Sequence, residues 1–304
     1  MEPTVVSAFY KFESVDDPDA FRDAVAAMAE QYEVAGSVLI ATEGINGTVA
    51  ATRAGTDAFF GWLRADERFA DLVTKESMVD FVPFKRLKVK VKPEIVTMRQ
   101  PVDPTVRVGT YVEPADWNAV VDNPDVLVID TRNREEIELG TFVGSADPGT
   151  ESFTEFADYV ATLDPSEHPT VAMFCTGGIR CEKASSYLLD QGFDEVLHLK
   201  GGILQYLEDV DPAESRWEGE CFVFDDRVTV DHALAPGGYT LCRGCRSPLS
   251  DDDRTHPAFE EGVACSRCAS ELTDDRRRRL RERHRQETLA RARGARHIGR
   301  REHE

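Results

Sequence analysis

Cys175 closes the apolar run Val171-Ala-Met-Phe174 and opens the loop Cys175-Thr-Gly-Gly-Ile-Arg180, after which Cys181 to Gln191 reads as a helix ended by Gly192. A thiol so placed sits at the C-terminal end of a strand and the N-terminus of a helix, where backbone N–H groups favour an anion. Gly177 and Gly178 allow close backbone approach, Thr176 and Ile179 complete the loop, and Arg180 adds a fixed positive charge. The chemistry is that of a stabilised thiolate, or of a persulfide or oxidised sulfur in the same cradle; the plain alternative is a structural cysteine beside an incidental glycine turn. A cysteine phosphatase loop needs five residues between Cys and Arg to wrap a tetrahedral phosphate, and here there are four, which disfavours phosphatase activity. Asp130 and Arg132, just past another strand end, are candidates to orient the loop, or are scaffold only. Cys181 could resolve a sulfenic acid or persulfide on Cys175 as a disulfide, or it packs inward as a small helix residue. Cys221 has no partner at motif spacing and reads as a buried apolar residue.

A second constellation lies further on. Cys242-Arg-Gly-Cys245 and Cys265-Ser-Arg-Cys268 are separated by nineteen residues, a spacing expected of a four-thiolate zinc ribbon. Each two-residue gap lets both thiolates of a knuckle reach one tetrahedral ion, and four thiolates leave no open position, so the zinc would be structural. Reduced, metal-free thiols in a loose segment are the alternative. There is no His-x-Asp or His-x-Glu pair with a distant His, and no haem, flavin or nucleotide fingerprint.

The net charge of -20 speaks against binding nucleic acid, but it is segregated: between Arg276 and Glu304 stand twelve Arg against four Glu. Lys85, Arg86, Lys88, Lys90 and Lys92 alternate with Leu87, Val89 and Val91, so a strand here has one cationic face. That face suits tracking phosphates, and equally suits keeping an edge strand soluble. The abundance of Asp, with Arg over Lys, would also suit a salt-rich cytoplasm. No leader pattern opens the chain and no long uncharged apolar run occurs, so a cytoplasmic protein without a membrane span is expected. Seven cysteines, four of them in metal-type pairs, point to a reducing compartment.

The elements that must position these residues fall into modules, as 304 residues lead one to expect. Residues 1–98 read as a β-α-β-β-α-β, ferredoxin-like (acylphosphatase-like) domain: strands Val5 to Phe12, Val34 to Ala41, Thr48 to Ala51 and Leu87 to Val91, helices from Asp17-Pro18 to Gln31 and from Thr56 to Arg64, and a turn at Thr42 to Gly47. Pro101 and Pro104 mark a linker. Residues 106–216 read as an α/β domain with a parallel sheet, built on Val126 to Asp130, Val171 to Phe174 and Val196 to Leu199. Residues 217–275 form a Cys-rich module short of apolar runs, and residues 276–304 a flexible, Arg-rich tail.

Val-Leu-Val-Ile-Asp130-Thr-Arg132 with Glu136, the Cys175 loop, and His198-Leu-Lys-Gly201-Gly202 together resemble a rhodanese domain. The longer stretch Cys175 to Ser185, with Glu43-Gly-Ile-Asn-Gly47 before it and Phe222-Val-Phe-Asp225 after it, resembles the rhodanese-domain tRNA uridine hydroxylases over most of the chain. That resemblance implies hydroxylation of the wobble uridine of tRNA to 5-hydroxyuridine, with molecular oxygen as co-substrate, tRNA as partner and Cys175 as the essential cysteine. One departure is Gly140-Thr141, where many rhodanese domains carry Gly-His. A persulfide carrier or sulfurtransferase is the second reading, and a zinc-ribbon adaptor without catalysis the third.

Overall fold

The computed structural model describes residues 3–293. In the N-terminal domain, β1 (Thr4–Phe12), α1 (Pro18–Gln31), β2 (Ala35–Ala41), β3 (Gly44–Ala51), α2 (Arg53–Arg64) and β4 (Thr74–Val79) are followed by β5 (Leu87–Val91). Asp17 caps α1 by accepting from the Ala20 N–H at 2.9 Å, and Pro18 suits the first helical turn, where its missing N–H costs nothing. The sheet order is β4-β1-β3-β2-β5, antiparallel throughout except that β5 runs parallel to β2. The ferredoxin-like arrangement therefore holds, but its fourth strand is Thr74–Val79, and Leu87–Val91 is an added edge strand. The short polar sequence Thr-Lys-Glu-Ser of β4 hides the strand from pattern reading, since only Val79 among its six residues is buried. The turn expected over Thr42 to Gly47 is also shorter: Gly44 to Gly47 belong to β3, which pairs with β1 and β2 on both sides. Both helices cover one face, closing a core of Phe9, Val25, Val38, Ile40, Ile45, Phe59, Phe60 and Leu63.

The second domain runs through β6 (Thr110–Val112), α3 (Pro114–Val121), β7 (Val126–Asp130), α4 (Arg134–Ile137), β8 (Gly140–Phe142), α5 (Phe156–Val160), β9 (Thr170–Phe174), α6 (Ile179–Asp190), β10 (Glu195–Leu199) and α7 (Gly202–Asp209). Its parallel sheet has the order β6-β10-β9-β7, with a separate apolar cluster on each face. Helix α6 starts at Ile179 rather than Cys181, so Arg180 lies in its first turn.

The chain continues through β11 (Trp217–Gly219), β12 (Cys221–Phe222), β13 (Thr229–Val230), β14 (Thr240–Leu241), β15 (Pro248–Leu249), α8 (Asp251–Thr255) and α9 (Asp274–Ala292). β11 pairs with β8, and Trp217, Cys221, Val223 and Val230 are buried in the second domain's core, so packing continues past the boundary expected at residue 217. A distinct small core of Cys242, Leu249, Val263, Ala264, Cys265 and Cys268 follows, with Leu280 of α9 packed on it. The tail expected to be flexible is thus a docked helix over its described part: Arg277 donates to Glu260 at 3.0 Å and to the Ala269 carbonyl at 2.7 Å, and Arg281 also pairs with Glu260. Residues 294–304 lie outside the described residues.

Candidate active site

Cys175 follows the last residue of β9 and is buried. The chain turns there because Gly178, the N-cap of α6, adopts φ +103°, a left-handed conformation that L side chains rarely take. Its N–H donates to the Cys175 sulfur at 3.1 Å. On the other side the Gly201-Gly202 motif brings in the N-terminus of α7. A side-chain carbon on Gly202, φ +67°, would meet the Cys175 carbonyl at 2.5 Å; in its absence Ile203 N–H donates to that carbonyl at 2.9 Å, and Leu204 N–H to the Thr176 carbonyl at 3.0 Å. Two helix N-termini converge on one sulfur-bearing loop.

Burial pushes the Cys175 thiol up, yet a hydrogen bond from the Cys181 thiol, the Arg180 charge and the backbone N–H groups of Cys181 and Arg180 outweigh it and bring the pKa to about 6. Cys181 moves the opposite way, raised by burial and by the neighbouring Cys175 sulfur, so the proton stays on Cys181. Cys181 also lies 3.7 Å from Thr131 Oγ1.

Arg180 is buried and fixed by two hydrogen bonds to Glu136, 2.8 and 2.7 Å long. Despite burial, that guanidinium holds the Glu136 carboxyl below its usual range. Glu136 is itself set by α4, where it accepts from the Asn133 N–H at 3.1 Å. Asp130 and Arg132 do not reach Cys175: they pair with each other at 2.9 and 2.6 Å, both fully buried, and Arg132 also donates to the carbonyls of Glu136 and Gly140. Their effect is indirect, holding the segment that presents Glu136 to Arg180. Thr141, standing where histidine is common, donates to Asp130 at 2.8 Å and so belongs to the same scaffold.

The first domain roofs the loop. Tyr10 of β1 donates to Glu182 at 2.9 Å, and Tyr111 of β6 donates to its other oxygen at 2.8 Å. Lys75 of β4 donates to the Gly177 carbonyl at 3.1 Å; burial lowers its pKa, opposed by the nearby Cys175 and Glu182 charges. Burial, with the Cys175 charge, raises the Glu182 carboxyl against the two tyrosine hydrogen bonds. Lys183, fully buried, bridges Glu43 at 2.8 Å and Glu94 at 2.6 Å, while Glu43 accepts from Ile95 N–H at 2.6 Å. Sequence reading singled out none of Tyr10, Lys75, Glu182 and Lys183 as functional. Glu182 and Lys183 lie within a stretch already notable for Cys175; nothing local marks Tyr10 or Lys75, which join the site through sheet pairing.

Between these modules lies a cavity of about 430 Å³. Its wall includes Cys175, Thr176 and Arg180 from the loop, Tyr10, Asn46 and Lys75 from the first domain, and Val223, Phe224 and Arg227 from the chain after β12. Thr176 Oγ1 is buried without a hydrogen-bond partner, leaving one polar atom for a bound molecule. The volume suits a small molecule or a single extruded nucleoside, as most binding cavities hold a few hundred cubic ångströms.

Cys242, Cys245, Cys265 and Cys268 come together with all four sulfurs within 4.8 Å of one another, and closest separations of 3.7, 3.8 and 4.0 Å. A tetrahedron with zinc–sulfur bonds of about 2.3 Å has edges of about 3.8 Å, so the cluster fits such an ion. Lys88, Lys90 and Lys92 are exposed on or just past the edge strand β5; Lys85 and Arg86 precede it, and none of the five lines the Cys175 cavity. No described helix is long and apolar enough to cross a membrane.

Residues 4–95 match the family model of the UPF0176 acylphosphatase-like domain, and residues 113–209 that of the rhodanese-like domain. Similar solved structures include a rhodanese-related protein from Thermoplasma volcanium, 21% identical, over 34% of this chain and 95% of that one, TM-score 0.28. A rhodanese-like domain from Anabaena sp. is 20% identical over 37% of this chain and 80% of its own, TM-score 0.30. An NAD-dependent persulfide reductase from A. fulgidus is 16% identical over 68% of this chain and 38% of its own, TM-score 0.29.

Proposed function

Since the chain belongs to the family that joins a UPF0176 acylphosphatase-like domain to a rhodanese-like domain, we infer that it hydroxylates the wobble uridine of tRNA through Cys175. The observation that carries this reading is the placement of a stabilised thiolate in a cavity of about 430 Å³ walled by the first domain, the Cys175 loop and the segment Val223 to Arg227. A plain sulfurtransferase needs the loop but not the roof of Tyr10 and Lys75 or the wall at Val223 to Arg227.

The net reaction replaces the C5–H of uracil by C5–OH. With molecular oxygen as oxidant, one oxygen atom enters the ring and the other leaves as water, two electrons coming from a reductant. Cys175 contributes as a thiolate nucleophile: addition to C6 places negative charge on the O4–C5 enolate, which makes C5 electron-rich toward an oxygen donor, and after the C–O bond forms, loss of the C5 proton expels the thiolate from C6 and restores the C5–C6 double bond. Lys75 and Arg180 offer positive charge, and Thr176 Oγ1 a hydrogen bond, to the polar edge of the base. Oxidation of the Cys175 sulfur itself is the alternative route, for which the same N–H groups hold the oxygenated sulfur. A metal held by the four cysteines would have no open position, so its role would be structural and neither route needs it.

The test is mass spectrometry of wobble-position nucleosides in tRNA from cells lacking the gene, complemented with wild type or Cys175→Ser. Hydroxyuridine restored by the wild type alone supports the reading. The second reading, persulfide transfer, is favoured by the N-terminus of α6, whose Gly178 N–H donates to the Cys175 sulfur at 3.1 Å; sulfite release from thiosulfate, with hydroxyuridine unchanged, would establish it instead.

A further inference from the structure

A second concavity, about 640 Å³, opens beside the Cys175 cavity and shares Ser37, Val223, Phe224 and Asp225 with it. Three separate parts of the chain supply its cations: Lys85, Arg86 and Lys88 at the edge of the first sheet, Arg243 and Arg246 from the first cysteine knuckle, and Arg283 from α9. Carboxylates outnumber cations 56 to 36 in this chain, and among the described residues most arginines elsewhere are matched by an acidic neighbour. Among the described residues, Lys85, Arg86, Lys88, Arg243 and Arg246 make no ion pair, whereas Arg283 holds Glu287 at 3.0 Å. Asp226 also faces the groove, and Asp225 is taken up by Arg227 at 2.6 and 2.8 Å. Arg246 is held in the left-handed region at φ +77°, a conformation that costs free energy for a long side chain and is fixed here by its position one residue beyond Cys245. Glu287 also acts on Lys85 and Arg243, and Asp226 on Lys85, so six cations face two carboxylates there, and the excess of positive charge suits a further anion.

At the junction of the two concavities stands Phe224, 64% exposed, with its ring edge-on to Phe222 at 5.1 Å and beside the Arg180 guanidinium at 6.0 Å. An exposed aromatic between a basic groove and a base-sized cavity is the arrangement that single-stranded nucleic acid uses, with bases stacking on the ring and phosphates following the cations.

We propose that this groove is the RNA track of the protein: phosphates flanking the reacting uridine lie along Lys85, Arg86, Lys88, Arg243 and Arg246, and a neighbouring base stacks on Phe224. The inference rests on the reading of the protein as a uridine-modifying enzyme. It gives the cysteine cluster a function, since the ion those four residues are suited to hold would fix Arg243 and Arg246 on opposite sides of Cys245. It also explains how so acidic a chain engages a polyanion: the cationic surface is assembled by tertiary contact.

The test uses the metal-loaded full chain and an RNA hairpin with an unpaired uridine in its loop, with binding followed by fluorescence anisotropy across a salt series. Arg243→Glu/Arg246→Glu and, on the other wall, Arg86→Glu/Lys88→Glu are compared with Arg278→Glu/Arg279→Glu, an equal charge change on exposed residues of α9 that do not line the groove. Each groove variant is expected to weaken binding at least ~10-fold and to flatten the slope of log Kd against log salt by about 1.4, at roughly 0.7 per phosphate contact on a single strand. Phe224→Ala is expected to weaken binding about tenfold with the slope unchanged. Equal losses in groove and control variants would mean a diffuse basic surface and overturn the proposal. Wild type that converts uridine in this hairpin, with both groove variants binding normally, would overturn the track while leaving the function standing; no binding by wild type would remove both.

Discussion

Replacing the buried pair together, Glu136→Gln/Arg180→Met, removes the charge nearest the Cys175 sulfur while keeping side-chain volume and leaving no orphaned carboxylate. With a pKa of about 6, Cys175 is about 90% thiolate at pH 7. Lowering the pKa from 9.0 to about 6 corresponds to about 4 kcal/mol in favour of the anion, at about 1.4 kcal/mol per tenfold. An adjacent opposite charge accounts for about 1 to 3 of such tenfold steps, and the N–H groups at residues 178, 180 and 181 and the Cys181 thiol remain. Losing two steps leaves about 9% thiolate at pH 7, so alkylation there should slow about tenfold and its pH midpoint should move toward 8. The assay is iodoacetamide labelling from pH 5 to pH 10 with Cys175 resolved from the other six cysteines by peptide mass spectrometry. A double variant that keeps the wild-type midpoint would refute the role given to Arg180, and a wild-type midpoint near 9 would refute the whole account of the cradle.

Lys183→Met strips the shared partner from Glu43 and Glu94 and should cost about 3 kcal/mol in urea denaturation; a loss under about 1 kcal/mol would mean the bridge does not hold the first two domains together. His198 is buried, and that burial lowers its pKa to about 4 despite a hydrogen bond with the Gly109 carbonyl. The folded state resists protonation, so its stability is whole above about pH 6.5 and falls as pH drops toward 4, by up to about 3 kcal/mol; His198→Gln should abolish that part of the acid sensitivity, and an unchanged difference between pH 7 and pH 4 would contradict it. Chelation should expose Arg243, Arg246 and Arg267 to trypsin while the core around Phe174 stays resistant; digestion identical with and without chelator would show that no metal holds the four cysteines.

The Cys175 loop and the cysteine knuckles were legible because each is a local pattern: residue types at fixed spacing, with a strand before and a helix after. β4 was not, since four of its six residues are polar and only its pairing with β1 makes it a strand. Lys75 on β4 and Tyr10 on β1 meet Cys175 across a domain boundary, and no periodicity within one chain segment encodes such a meeting. The Arg-rich end misled for a related reason. Composition alone describes a solvated tail, whereas Glu260 and the Ala269 carbonyl on another element take up Arg277 and Arg281 and dock the helix.

The roof over the loop also bears on how charge is balanced around the sulfur. Arg132 is matched by Asp130, whereas Arg180, though paired with Glu136, still acts on the Cys175 sulfur, and Lys75 of the first domain stands beside both that sulfur and Glu182. The two anions raise each other's proton affinity, as the upward displacement of Glu182 by burial and by Cys175 shows. Bonding the sulfur to carbon removes one of those anions and passes its charge to the substrate, which relieves part of the upward push on Glu182. A rhodanese loop open to water would have no use for such compensation, because solvent would screen it. Lys75 and Tyr10, which enter from the first domain, therefore shape both the enclosure and the charge balance around the sulfur, and the first domain belongs to the candidate active site.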